Sequence, residues 1–300
     1  VKNLNKESKI DLLLFLLPPL VVLSIFVIYP IIGTVVLSFI SKGTFSLSNY
    51  YEVLTESIPL KALILTKLEP TPPWGALIHN AVWILISVPA VVLLGMILAY
   101  VLRYVFGSSF VLGTVFLGMV LPGVVSGLVI RFMFDDSIGI FPRIFAVLGV
   151  PMLSKTWTIY PQTALLALIL GSIWLWLGFS VTLYSAGLDS IPSSMIESAL
   201  VDGASQWQIF AKIIVPQLRP VTTVVILMTV MWVLKIFDIV YVVTGGGPGG
   251  SSTVLAMIMY MYFASSLEYH KAAAVAVILA LLTLIPAYWY IRIVLKGERE

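Results

Sequence analysis

The chain contains no cysteine. Disulfides, thiol nucleophiles and Cys-ligated metals are therefore excluded. Charge is scarce too: Asp, Glu, Lys and Arg make up 10% of the 300 residues, against about 25% in a soluble domain. The only histidines are His79 and His270, far apart and with no carboxylate at ligand spacing, so no metal site is expected. No G-x-x-x-x-G-K-[ST] loop occurs. Gly245 to Gly250 is Gly-rich, but no Lys follows to reach a phosphate, so the chain is not expected to bind or hydrolyse ATP by that device. Ser and Thr lack a paired base, and no catalytic constellation is visible. There is no basic cluster with interleaved aromatics, and nucleic acid is not an expected partner.

Apolar residues are what the chain has in abundance, at 60%. Leu12 to Ser41, Trp74 to Leu102, Tyr104 to Ile130 and Thr156 to Leu188 each lack Asp, Glu, Lys and Arg. A membrane-crossing helix needs about 20 such residues. Two further spans come later: Val221 to Thr244, interrupted by Lys235 and Asp238, and Ala272 to Ile291. The expectation is an all-α membrane protein of about six helices. A β-barrel would instead alternate in segments of about 10 residues. The third span is expected as one helix over Val111 to Phe134, and SLSNYYEVL as a short surface helix capped by Ser48. The polar N-terminus precedes a run too long for a signal-peptide core and reads as leading into a retained first helix. Residues 1–11 are expected as a cytoplasmic N-terminus, 12–295 as one transmembrane domain and 296–300 as a cytoplasmic tail. Loop charge sets the orientation: Lys2, Lys6, Lys9, Arg103, Lys212, Arg219, Arg292, Lys296 and Arg299 fall on one side and predict both termini in the cytoplasm.

One stretch interrupts the apolar pattern, Glu197 to Pro220, ESALVDGASQWQIFAKIIVPQLRP, within the polar loop 189–220. Ser194 precedes Glu197 by three residues, and Ser205 precedes Gln208 by three. Each pair reads as a capping box. Asp202-Gly203 reads as a turn, and Pro216 and Pro220 as a stop or a kink. Two short helices are thus predicted about a Gly turn. Trp207, Phe210, Ile213 and Ile214 recur at helical spacing and predict one apolar docking face.

Two further constellations have alternative readings. Lys235 and Asp238, three apart on the fifth span, would share a helix face. They could line or gate a polar pathway, fix packing as a neutralising pair, or, as the weakest case, relay protons. On the fourth span, Trp174, Trp176, Gly178, Phe179 and Thr182 could stack on and hydrogen-bond a sugar, or pack a neighbour and face lipid. The Gly-rich exit VVTGGGPGGSS is either a flexible loop or a shaped gate.

The polar stretch resembles the EAA loop of ABC importer permeases. That pattern runs Glu-Ala-Ala, three residues, Gly, nine residues, Ile-x-Leu-Pro. Here it stands as Glu197-Ser198-Ala199, Gly203 and Ile213-Ile214-Val215-Pro216, within an Asp202-Gly203-Ala204 core. The TGGGP element, KIFDIVYVV with Lys235, Phe237, Asp238 and Tyr241, W-x-x-x-G-F at Trp174, Gly178 and Phe179, His79-Asn80 and Leu121-Pro122 are similar to the carbohydrate-uptake, maltose-system branch. The chain departs from it in lacking an Arg ahead of the third span and in having Ala81 after Asn80.

The resemblance implies a type I ABC importer (MetI-like) permease in a prokaryotic inner or plasma membrane. It implies a second, related permease as heterodimer partner, two ATP-binding subunits carrying ATP and Mg, an extracytoplasmic solute-binding protein and a sugar or sugar-like solute. No cofactor is implied on this chain. The coupling residues it points to are Glu197, Ser198, Ala199, Asp202, Gly203, Ala204, Trp207, Phe210 and Pro216. The pathway or gate residues are Trp174, Gly178, Phe179, Thr182, Lys235, Asp238 and Tyr241. The competing classes are an ion-driven secondary transporter, which would favour inverted repeats and midplane acids, and a membrane-embedded hydrolase or transferase, which would need catalytic residues within spans.

Overall fold

The computed structural model describes residues 6–65 and 70–297. Lys2, Lys67, Glu69 and the last three residues of the tail lie outside them. Helix α1 (Lys6–Leu23) runs through a π-turn (Ser24–Ile28) into α2 (Tyr29–Ser38). The π-turn contains Phe26, the residue whose carbonyl the Pro30 ring would strike in a regular helix. A two-stranded hairpin comes next, β1 (Ile40–Ser41) and β2 (Thr44–Phe45), and then α3 (Ser48–Leu54). Ser48 does not cap α3: the preceding residue is Leu47, and the Ser48 N–H donates to Ser46 Oγ at 3.0 Å. That contact is an ST-turn of the kind a short loop favours.

Helix α4 (Ala76–Val101) is the second span. The third is broken. α5 (Ser108–Val120) and α6 (Gly123–Met133) meet at 118°. Pro122 has no N–H to continue the ladder and holds Leu121 extended, at ψ 136°. One helix over Val111 to Phe134 is therefore not what forms. α7 (Ile140–Val147) leads to α8 (Pro161–Asp189), the central helix. In the most apolar window of α8, 72% of residues are buried, against 0% in the span Leu14–Ser38. α4, α5, α6 and the later helix Arg219–Leu234 all pack on α8. No hydrophobic force drives helices together in lipid, so close contact between small residues carries the association. A Cβ on Gly95 would overlap Ser180 Oγ, which donates to Val91 O at 2.9 Å.

The polar stretch folds as α9 (Ser193–Val201), α10 (Gln206–Ile209), a π-turn (Phe210–Ile214) and α11 (Val215–Gln217). Pro216 does not end the helix; the π-turn again absorbs its ring. The chain bends by 65° at Leu218, and Pro220 lies in the first turn of α12 (Arg219–Leu234). α13 (Asp238–Val243), α14 (Leu255–Tyr260), a π-turn (Met261–Ser265) and α15 (Tyr269–Gly297) complete the order. α14 was not expected, because its apolar run is too short to span a membrane. Four described helices are long and apolar enough to cross a membrane, or up to six if each bent pair is one span.

The connections define two faces. Arg103, past the end of α4, pairs with Asp189 at the end of α8, beside α9–α11. On the opposite face, His270 Nδ1 meets Leu37 O at 3.2 Å, where α2 ends and α15 begins. Lys61 reaches Glu268 there at 3.8 Å, and the chain leads from Lys61 into α4 through Ala76 N–H to Ala62 O at 3.0 Å.

Candidate functional site: a helical hairpin and a cavity between broken helices

The hairpin is fixed at its turn. Gly203 has φ +79°, its N–H reaches Leu200 O at 3.1 Å, and Ala204 N–H reaches Ala199 O at 2.9 Å. These two bonds form a Schellman stop. Ala199 and Ala204 both pack on the core, so the turn is seated as well as closed. Asp202 is the residue at the end of α9, and it is exposed. Ser205 forms the expected capping box: Gln208 N–H donates to Ser205 Oγ at 3.3 Å, and Ser205 N–H donates to Gln208 Oε1 at 2.7 Å. Ser194 does not form one. Pro192 starts α9 one residue early, which puts Ser194 inside the helix, where its carbonyl accepts from Ser198 Oγ at 2.8 Å. Glu197 is left exposed on the second turn.

The predicted apolar face divides. The π-turn inserts a residue and rotates the side chains beyond it. Ile214 turns into the core with Ile209 and Leu218, while Trp207 is left 72% exposed. Phe210 bridges the two environments, 4.9 Å from the Tyr100 ring and 5.7 Å from Trp207. Tyr100 Oη also donates to Gln206 Oε1 at 3.2 Å, tying α10 to the end of α4. Pro216 is half-buried behind this contact.

Gly203→Val should loosen the hairpin. No atom lies within 4 Å of its Cβ position, so the penalty is the left-handed backbone itself, about 1–2 kcal/mol. Gly203→Asn should behave close to wild type, since Asn tolerates that conformation. Limited proteolysis between α9 and α10 checks both: faster cleavage is expected for Val only.

A cavity of about 300 Å³ lies where the breaks in the third and fifth spans face α8. Its wall includes Trp176, Trp232, Lys235, Asp238, Ser126 and Gly123. Lys235 and Asp238 do not share a helix face. α12 ends at Leu234, α13 starts at Asp238, and among the described residues no ion pair joins the two. The Asp238 carboxylate lies against Gly123 instead; a Cβ there would come within 2.6 Å of its Oδ2. Gly123 opens α6, whose free N–H groups favour an anion. Trp176 and Trp232 stack at 4.9 Å with ring planes 17° apart, and Trp176 Nε1 donates to Thr229 Oγ1 at 2.8 Å.

Not every residue singled out for the pathway reaches this cavity. Phe179 meets Trp176 with its ring tilted 38°, at 4.9 Å. Trp174 Nε1 donates to Thr114 O at 3.0 Å and Gly178 lies against Val115 O, so both face α5. Thr182 bonds Gly178 O on the exposed side of α8. Tyr241 stacks on Phe237 at 5.4 Å and meets Tyr260 edge-on. Trp232 was missed, although it stands three residues before Lys235, one helical turn from the break.

The Gly-rich exit is a shaped loop. Thr244 Oγ1 meets Ser252 Oγ at 2.8 Å, Ser252 Oγ donates to Gly247 O at 2.6 Å, and Thr253 Oγ1 donates to Gly246 O at 2.9 Å. His79 and Asn80, both buried, hold its far end. His79 Nε2 accepts Trp74 N–H at 3.1 Å, so its proton sits on Nδ1, facing Thr253 O at 2.8 Å. Asn80 Nδ2 donates to Val233 O and its Oδ1 accepts Leu255 N–H, each at 3.0 Å. His79 is thus a deep structural clamp. Among the described residues, no group of three or more His, Asp or Glu could hold a metal ion.

Up to six apolar spans, an exposed helical hairpin on one face and a walled cavity between broken helices make the build of a membrane permease. The chain belongs to the family of binding-protein-dependent transport system inner membrane components, which it matches over residues 69–299. It is thus the multi-pass permease subunit of a binding-protein-dependent ABC importer and a transport component rather than an enzyme. It is 52% identical to a probable ABC transporter permease protein of Pyrococcus horikoshii, over 93% of this chain and 96% of that one. It is 29% identical to the trehalose/maltose transport system permease protein MalF of Thermococcus litoralis, over 96% and 94%. Its fold matches a chain of a bacterial ABC transporter involved in import of the acidic polysaccharide alginate, with TM-score 0.74 and 21% identity, over 96% and 98%.

Proposed function

We propose that the α9–α11 hairpin is the coupling element through which a cytoplasmic ATPase subunit drives this permease. One observation carries the reading. Trp207 is left exposed on a helix whose start, turn and base are all fixed by hydrogen bonds and core contacts. An exposed aromatic on a rigid support is suited to fill a partner's pocket. Glu197, Ser198 and Asp202 form the polar rim of the same surface, with Gly203 and Ala204 at the turn and Ala199, Phe210 and Pro216 as its internal support. On this reading the hairpin face is cytoplasmic, both termini lie on that side, and the Gly-rich loop faces outward. The charge asymmetry of the loops supports that orientation.

A second related permease completes the membrane unit as a heterodimer. Two ATPase subunits carry the ATP and Mg, and a solute-binding protein meets the outer face. The solute is a sugar or sugar-like molecule, in keeping with the names of the relatives. The cavity walled by Trp176, Trp232, Lys235 and Asp238 is this chain's part of the path, combining flat aromatic surface with polar groups suited to hydroxyls.

Reconstitution into liposomes tests this reading. With the second permease, the ATPase subunits and a loaded binding protein, ATP-dependent sugar uptake is expected, with no uptake when the ATPase subunits are omitted. Uptake by this chain alone on an ion gradient would establish the secondary-transporter reading instead.

A further inference from the structure

A second cavity, of about 340 Å³, opens on the face opposite the hairpin. Three segments wall it: the end of α6 with Arg131 and Asp135, the approach to α8 with Thr156 and Thr158, and the end of α13 with Thr244 and Pro248 of the Gly-rich loop. Arg131 is exposed, and neither a hydrogen bond nor an ion pair to another described residue holds its guanidinium. Asp135, the other charged group on the wall, does not pair with it. Its Oδ1 instead accepts the N–H groups of Ser137 and Ile138, at 2.9 and 3.3 Å. Thr156 Oγ1 accepts Asp136 N–H at 3.0 Å. Thr158 is 93% buried (7% exposed), lines the cavity, and its hydroxyl has no partner among the described residues. A free guanidinium and the free hydroxyl of a buried threonine therefore share one concave wall, a donor set that fits a carboxylate.

The same two helices line the transport cavity. α6 carries Gly123 and Ser126 on that cavity and Arg131 on the outer one; α13 carries Asp238 on one and Val243 on the other. α6 and α13 pack tightly between these ends, with the Gly127 Cβ position 3.1 Å from Val242 Cβ. Contact made in the outer cavity therefore bears on the pair of helices that wall the inner one.

We propose that this outer cavity is the docking point for an acidic side chain of the solute-binding protein, whose carboxylate pairs with Arg131 and accepts from the Thr158 hydroxyl. The proposal rests on the permease reading, which requires a binding protein on the outer face. A carboxylate is favoured over a cationic group because Asp135 Oδ1 is engaged by the N–H groups of its own turn, while the Arg131 guanidinium has no partner among the described residues.

The test measures affinity of the purified, loaded binding protein for the full transporter in nanodiscs of neutral lipid, at low and high salt. Arg131→Gln is expected to weaken binding about tenfold and Arg131→Glu further. Both should flatten the salt dependence of affinity, because a rim charge acts largely through screened attraction. Thr158→Val should weaken binding less. Replacing the matching acidic residue of the binding protein by Arg should restore affinity for the Arg131→Glu variant. Lys42→Glu, a charge reversal in the turn between β1 and β2, past the end of α2, is expected to leave binding unchanged. Thermal unfolding of the Arg131 variants should match wild type, since Arg131 holds no partner among the described residues. Unchanged affinity in both Arg131 variants overturns the proposal, and so does an equal loss in Lys42→Glu. If wild-type transporter shows no ATP-dependent uptake, the permease reading itself fails; if it does and the variants bind normally, only this docking assignment fails.

Discussion

Asn80→Leu should unseat the Gly-rich loop and abolish transport while leaving the chain inserted in the membrane. Leu255 N–H is the first donor of α14, and helix starts leave such donors without intrahelical partners. Val233 O lies in the last turn of α12, just ahead of the break at Lys235. The Asn80 amide presents one donor and one acceptor, and it pairs with both groups at 3.0 Å from a 2% exposed position. Leucine has similar bulk and neither polar function. Each buried group left unpaired costs about 1–3 kcal/mol. Val233 O keeps a bond of 3.3 Å from Ile236 N–H, so Leu255 N–H bears most of the loss. A destabilisation of about 2–4 kcal/mol is expected, read as a lower unfolding midpoint of the purified chain. Asn80→Asp separates the two bonds: it keeps the acceptor for Leu255 N–H and loses the donor to Val233 O. Its midpoint should lie between wild type and Asn80→Leu. A wild-type midpoint in Asn80→Leu would show that water or a neighbouring group replaces the amide.

That amide shows where sequence reading succeeds and where it stops. His79-Asn80 stands out as a dipeptide, but nothing local indicates that Asn80 bonds residues about 150 and 175 positions away. Local chemistry is legible. Ser205 and Gln208 form their capping box because both partners lie within one turn. Gly203 turns the chain because Gly accepts φ +79° at no steric cost. The apolar runs define the class because length and hydropathy suffice for that.

The failures share a cause. The i,i+3 spacing of Lys235 and Asp238 implies one helix face. The helix breaks between them, and tertiary bonds such as that from Asn80 stabilise the break. The Leu121-Pro122 bend is present in the sequence as a proline, yet prolines are also absorbed, as Pro18, Pro89 and Pro286 are within helices here. Only the packing of α6 on α13 decides which occurs. Trp174 and Trp176 are two positions apart and so point to different neighbours: one meets α5 and the other the cavity. Spacing separates them but does not say which of them faces the cavity.

Trp207→Ala should leave the chain's stability unchanged and cost the ATPase most of its grip. At 72% exposure the indole contributes little to this chain's core, so its removal is within the range of ordinary surface substitutions, about ±0.5 kcal/mol. In a docked complex the same indole would be desolvated at the centre of the contact, where truncating an aromatic anchor costs about 2 kcal/mol or more. That corresponds to roughly thirtyfold weaker association. The measurement is binding of purified ATPase subunits to the permease pair in nanodiscs, alongside the unfolding midpoint of the permease alone. Phe210→Ala is the informative contrast. Phe210 is half-buried against Tyr100, so its loss should lower the midpoint and affinity together. If Trp207→Ala binds the ATPase as wild type does, the hairpin is not the coupling surface. If it lowers the midpoint as Phe210→Ala does, the indole packs against its own chain in the membrane, and the exposed anchor on which the coupling reading depends does not exist.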